Sequence, residues 1–253
     1  MRNIKNYEKE YKVHEFEKTM VEFRRNIVID QLKLYKPKKI LEIGCGMEPI
    51  FNYYNNYNEI TVIEPGNNFY ENLIKIKSKH NSKKIITLKG FVEEFESYLK
   101  SKKFDFIIIS SLLHEIKEPE KFIDFISSFC KNAVIHINVP NKNSFHRILA
   151  LNSGLISSLE IHSNSQKKLQ QNDFFDINQL ENIFINANFK ILQKGSYFIK
   201  PFTHNQMQQI VDENIINKEV INGLNKLSYL LPENGAEIFI NTQLTYSPND
   251  EIS

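Results

Sequence analysis

Between residues 38 and 141, five short and almost wholly apolar segments alternate with stretches of helical periodicity, and no other feature restricts the fold so tightly. The segments are KKILEIG at 38–44, NEITVIEPG at 58–66, KIITLKG at 84–90, FDFIIIS at 104–110 and AVIHINVPN at 133–141. Strands that are apolar on both faces need cover on both faces, which is the condition of a parallel sheet sandwiched between helices. The intervening stretches supply that cover: Phe69, Leu73 and Ile76 at helical spacing, FVEEFESYLKS, and PEKFIDFISSFCKN with Pro119 suited to a first turn. The expectation is a doubly wound α/β domain whose ligand lies at the carboxyl ends of the strands, beside the point where strand order reverses.

Around this core, residues 7–35 carry Val13, Phe16, Met20, Phe23, Ile27 and Leu34 at helical spacing, with Gln31 the one polar break. They predict one or two N-terminal helices ended by Pro37. The alternation breaks at 141–176, where NSFHRILALNSGLISSLE has helical character and HSNSQKKLQQND is polar; this stretch is read as a mobile lid inserted after the fifth strand. DINQLENIFINANF predicts a helix, KILQKGSYFIKPF a strand, His204 to Leu231 one further helical stretch, and AEIFINTQLTY a last strand. With no repeat, linker or composition shift, residues 1–253 are expected to form a single domain: N-terminal helices at 1–36, a cofactor-binding core at 37–140, the lid at 141–176, and the rest of the sheet at 177–253.

Composition bears on the partners. A net charge of +2 gives no general attraction to nucleic acid or anionic membrane, and no RNA-binding module is appended. Cys45 and Cys130 form neither a disulfide framework nor a metal-ligand spacing, so a reducing, cytoplasmic setting and no metal are expected. The N-terminus lacks an apolar signal core, and no apolar run approaches the roughly 20 residues of a membrane span.

The strand ends carry the chemistry. The first runs into Glu42-Ile43-Gly44-Cys45-Gly46, a turn in which glycines let the backbone pass close to a ligand. Pro49 stands where a dinucleotide fingerprint would place its third glycine, which argues against NAD or FAD. Glu42 instead suits an ammonium group. Glu64-Pro65 ends the second strand, where a carboxylate can accept both hydroxyls of a ribose. After the third strand, Phe91 and Val92 offer a slot for a flat base, and Glu93 can accept from its exocyclic amine.

In order and spacing, LEIGCGMEP, VIEPG, KGFVEEF and FDFIIISSLLHEI resemble the cofactor motifs of class I S-adenosylmethionine-dependent methyltransferases. The resemblance covers Lys38 to Pro140, and the later segments resemble that family's sixth and seventh strands. It implies a seven-stranded, mostly parallel, Rossmann-like sheet that binds S-adenosyl-L-methionine. Glu42, Gly44, Cys45 and Gly46 would line the methionine moiety, and Glu64 with Pro65 would hold the ribose. Phe91, Val92 and Glu93 would hold the adenine, with Ser110 and Ser111 beneath the cofactor. Where the family usually has a further glycine, this chain has Glu48.

A hydroxyl acceptor needs a base, whereas an amine needs mainly positioning. His114 is the first candidate base, His146 the second and Glu115 the third; His136, inside an apolar strand, is read as a core residue. Arg147, Asn138, Lys200 and His204 are candidate acceptor contacts, Arg147 being suited to a phosphate or carboxylate. INVPNKNSFHRILALNSGLI is similar to bacterial methyltransferases of surface-polysaccharide and small-molecule pathways. The implied activity is O-methylation of a small polar acceptor, a sugar or phosphate-bearing metabolite. The alternatives are N-methylation, a tRNA or protein acceptor, and a non-catalytic cofactor-binding scaffold.

Overall fold

The computed structural model describes residues 15–80, 84–161 and 173–245. Helix α1 (Glu15–Tyr35) leads into β1 (Lys39–Ile43), followed by β2 (Glu59–Glu64), α2 (Asn67–Lys77), β3 (Lys84–Lys89) and the short α3 (Glu96–Lys100). Next come β4 (Phe106–Ser110), α4 (Pro119–Cys130), β5 (Val134–Pro140), α5 (Phe145–Asn152) and α6 (Ile177–Asn186). The chain closes with β6 (Phe189–Tyr197), α7 (His204–Asp212), α8 (Lys218–Leu227) and β7 (Glu237–Leu244). The sheet has the order β3-β2-β1-β4-β5-β7-β6, and only β7 runs antiparallel to its neighbours. The order reverses between β1 and β4, so the expected ligand position lies over the carboxyl ends of those two strands.

Alternate strand residues serve opposite faces. Leu41, Ile107, Ile135 and Ile240 pack under α4 and α6, against Phe122, Ile126 and Phe184. Ile40, Val62, Phe106 and Ile108 pack against Val28 and Leu32 of α1 and Leu73 of α2. Each such side chain, fully removed from water, contributes about 1.5–3 kcal/mol, so a one-residue slip in register would expose an entire row. The amino-terminal half of α1 forms a third cluster in which Phe16, Met20 and Phe23 meet Tyr197, Phe198 and Met207. Because Tyr197 ends β6, this half of α1 reaches the carboxyl end of the sheet.

Two expectations need correction. The helical stretch from His204 to Leu231 is two helices: Asn214 takes a left-handed φ of 56°, and Asn217 restarts the chain by capping the Val220 N–H. The inward face of α1 carries Val28 and Leu32, while Leu34 points outward and Gln31 is buried. The N-terminal helical reading is met over Glu15–Tyr35; its residues 7–14, like residues 162–172 of the lid reading, lie outside the described residues. Among the described residues no helix is long and apolar enough to cross a membrane.

Candidate functional site

Glycine is required at the end of β1 because Gly44 and Gly46 adopt φ of 75° and 55°, conformations that strain any residue with a Cβ. The turn is held from β2: Gly44 N–H donates to the Ile63 carbonyl at 2.9 Å, and Gly46 N–H to Glu64 Oε2 at 3.0 Å. Glu64 Oε1 accepts from Gly66 N–H at 2.8 Å, while Pro65 between them is half-buried. Glu64 is therefore buried at the joint between the glycine turn and the start of α2. The Cys45 thiol lies against the Gly46 carbonyl and Glu64 Oε2, and burial beside Glu42 and Glu64 pushes its pKa up, which disfavours the reactive thiolate. Glu48, at the position where the resemblance leads one to expect glycine, pairs with Arg25 at 2.6 Å and ties the loop to α1.

Glu42 is buried at the end of β1, with both carboxylate oxygens 3.1 Å from the Ile50 N–H. Burial, aided by the nearby Glu64, raises its pKa to about 8 against the pull of that N–H. The folded chain thus holds a proton that the unfolded chain releases at ordinary carboxylate pH. Stability from this group is complete below about 4.5 and is lost as pH rises towards 8. Glu42→Gln is accordingly expected to flatten the decline in stability between pH 5 and 8, as read from urea midpoints; parallel slopes in the two proteins would rule this out.

At the third strand end Val92 is buried and Phe91 half-buried, as a base slot requires, but Glu93 is exposed. It is Glu94 that turns back, accepting the Phe91 N–H at 2.6 Å. The fourth strand ends on a strained residue: Ser111 has φ 52°, uncommon for a residue with a Cβ. Its N–H donates to both the backbone and the side-chain carbonyl of Asn138, at 3.0 and 2.9 Å. Asn138 also exchanges hydrogen bonds with Ser110 Oγ and lies 3.2 Å from His136 Nε2. His136 Nδ1 lies 2.7 Å from Asn241 Oδ1, and Asn241 donates to Gln31 and Gln193. Burial lowers the His136 pKa to about 4, so the imidazole is neutral; as an acceptor at Nε2 it must carry its proton on Nδ1. This interior chain fixes the Ser110–Ser111 floor. Asn138, expected to contact the acceptor, is 0% exposed and its amide is consumed within the chain.

The remaining candidates fall in two places: His114 and Glu115 follow β4, while His146, Arg147, Lys200 and His204 influence one another beyond β5 and β6. His114 and Glu115 are buried in a single 3-10 turn, with Nε2 and Oε1 3.9 Å apart, and the His114 carbonyl accepts the Asp173 N–H at 3.3 Å. Lys200 Nζ lies 2.9 Å from His204 Nδ1, and His204 Nε2 lies 3.1 Å from Glu17 Oε2. Arg24 forms a two-pronged pair with Glu237, which also takes the Tyr197 hydroxyl, and reaches Glu17 at 3.4 Å. Despite burial, His204, Arg24 and Lys200 bring Glu17 to about 2. Burial, partly offset by Glu17 and Glu237, lowers Lys200 to about 8. His146 falls to about 2 through burial and the adjacent charges of Lys200, His204 and Arg147. A histidine so depressed accepts protons weakly, which counts against it as a base. Arg147 donates to the carbonyls of Leu159 and, at 3.1 Å, Ile161. Glu17, Arg24, Tyr197 and Glu237 were not singled out from sequence. The available signal was two opposite charges seven residues apart on the face of α1 that also carries Met20.

A family model described as "Methyltransferase domain" matches residues 19–194. The chain is 26% identical, over 217 residues, to malonyl-[acyl-carrier protein] O-methyltransferase 2 of Ilyobacter polytropus, a match spanning 76% of this chain and 81% of that protein. Its fold is similar to that of magnesium protoporphyrin IX methyltransferase from Synechocystis PCC 6803, solved with bound SAH. The TM-score is 0.60 at 11% identity, over 95% of this chain and 94% of that one. An SAM-dependent methyltransferase from Thermotoga maritima aligns with a TM-score of 0.58 at 16% identity, over 93% and 97% of the two chains.

Proposed function

The chain belongs to the family of methyltransferase domains, and from that premise we propose that it transfers the methyl group of S-adenosyl-L-methionine to a hydroxyl of a small polar acceptor. A sugar or phosphate-bearing metabolite of surface-polysaccharide synthesis is the acceptor class this reading favours. The observation that carries the proposal is the pair of buried carboxylates, Glu42 and Glu64, flanking one glycine turn on adjacent strands beside the switch point.

The residues present fit the cofactor. A Cβ at Gly46 would meet nothing within 4 Å, so the turn faces open space. A cationic ammonium next to Glu42 would favour the ionised form that burial now disfavours. Glu64, which accepts the Gly46 and Gly66 N–H groups at the end of β2, is the carboxylate that would accept the ribose hydroxyls. Phe91 and Val92 would flank the adenine, Pro65 the ribose, and Ser110 and Ser111 would form the floor. The cofactor supplies an electrophilic methyl on a sulfonium. The protein's part is to align the acceptor oxygen behind that methyl, exclude water and take the hydroxyl proton. His114 holds first place for the last task, with Glu115 behind it, and the charges around His146 suit it to binding.

Calorimetry with SAH, followed by a screen of sugar nucleotides and phosphorylated metabolites with methyl-labelled cofactor, tests this reading. Micromolar SAH binding and transfer of label to an alkali-stable ether are expected. Absence of SAH binding would overturn methyl transfer itself; label found only on amines would overturn the hydroxyl acceptor. Binding without transfer to any acceptor would favour a scaffold.

A further inference from the structure

The acceptor side contains more buried polar groups than the described residues provide partners for. Lys200 is 4% exposed, and among the described residues its ammonium has one hydrogen-bond partner, His204 Nδ1, for three N–H groups. Ser144, the N-cap of α5, is 0% exposed, yet its hydroxyl makes none of the capping bonds that such a residue ordinarily supplies and has no partner among the described residues. The Nε of Arg147, one turn into the same helix, and Nδ1 of His146 are likewise buried without partners among the described residues. Lys200 lies near enough to His146 and Arg147 for the charges to act on one another, because the 234–236 strip joins the two strand exits: Phe145 N–H donates to the Asn234 carbonyl, and Ala236 N–H to the Phe198 carbonyl.

Charge points the same way. Arg24 is matched by Glu237, and Glu17 contacts His204 and Arg24; among the described residues no carboxylate lies within ion-pair distance of Lys200 or Arg147, and Glu17 and Glu237 offset the burial of Lys200 only in part. Lysine and arginine side chains donate and cannot accept, and a helix amino terminus adds partial positive charge at the same spot. A buried cation whose burial is only partly compensated is costly, and an incoming anion offsets that cost.

We propose that Lys200, Ser144 and Arg147, at the amino terminus of α5, form a receptor for an oxyanion of the methyl acceptor, a carboxylate or phosphate group. This rests on the reading of that end of the sheet as the acceptor side. The oxyanion orients the acceptor, so that the atom to be methylated is presented to the floor at Ser110 and Ser111.

The test is titration of the full chain, saturated with SAH, with inorganic phosphate and separately with acetate, followed by the amide resonances of His146 and Arg147. Saturable shifts with millimolar midpoints are expected for at least one anion, weakened tenfold or more in Lys200→Met and in Ser144→Ala. Preference for phosphate or acetate identifies the group. SAH affinity, measured on the same samples, should hold in both variants, which separates failure of the receptor from failure of the methyltransferase reading. Shifts that grow linearly with anion, or that are equal in wild type and Ser144→Ala, would overturn the proposal and assign these donors to water.

Discussion

Glu64→Ala is expected to weaken SAH binding by about 1.5–3 kcal/mol, the value of hydrogen bonds to a charged group, or roughly ten- to a hundredfold. The effect should be large because one carboxylate has two duties. In the free protein it fastens Gly46 to Gly66, bridging the glycine turn and the start of α2; in the complex it would also accept the ribose hydroxyls. Alanine removes the ligand contact and releases the turn, while Glu64→Gln keeps one acceptor oxygen but sets an NH2 group against a backbone N–H. The glutamine variant should therefore also bind weakly, although its side-chain volume is conserved. Calorimetry on variants with wild-type circular dichroism decides the matter, and undiminished SAH binding in Glu64→Ala would remove the residue from the cofactor site.

Turnover of His114→Gln should fall by roughly 100-fold or more, the contribution typical of a positioned proton acceptor, with SAH affinity unchanged. His114 is buried in the turn that directly follows the fourth strand, and its backbone is tied to Asp173, so both its position and its cover are set by the fold. His146→Gln should cost only a few-fold in kcat, since an imidazole held at about 2 has little affinity for a proton at neutral pH; its loss should appear in KM. The pH profile gives a second reading, because the rising limb of the wild type should vanish in His114→Gln and survive in His146→Gln. If neither variant loses more than a few-fold in kcat, proton removal by histidine is wrong and alignment alone carries the reaction.

Both predictions draw on residues visible in the sequence, but the structure altered their standing. His114 was placed first because it follows the fourth strand, His146 second as a residue of the lid and Glu115 third, and chain position contains nothing about the field at each group. His146 is demoted by burial and by Lys200, 54 positions later, whose charge reaches it because the ends of β5 and β6 lie on the same side of the sheet, with only β7 between them. Asn138 stands two residues before the end of its strand and looked like a pocket residue. Its side chain faces α1, where Ser110, Ser111 and His136 occupy it. Conversely, His136 reads as a core residue from the apolar run around it, and it is one.

What the sequence determined by itself is whatever local periodicity and local backbone geometry encode. Runs of apolar residues separated by helical spacing dictate a covered parallel sheet, and glycines at 44 and 46 mark a turn that only they can take without strain. Acids at 42 and 64 come together because β1 and β2 are adjacent in the chain and in the sheet. The tertiary structure alone decided the charged cluster at the ends of β5 and β6. There β7, last in sequence, inserts between β5 and β6, a bulge at Leu192 turns Gln193 towards Asn241, and Glu237 meets Arg24 across 213 residues. Such contacts follow from strand order and register, which place side chains in space but leave no period in the chain, and so Glu17, Arg24, Lys200 and Glu237 become neighbours only on folding.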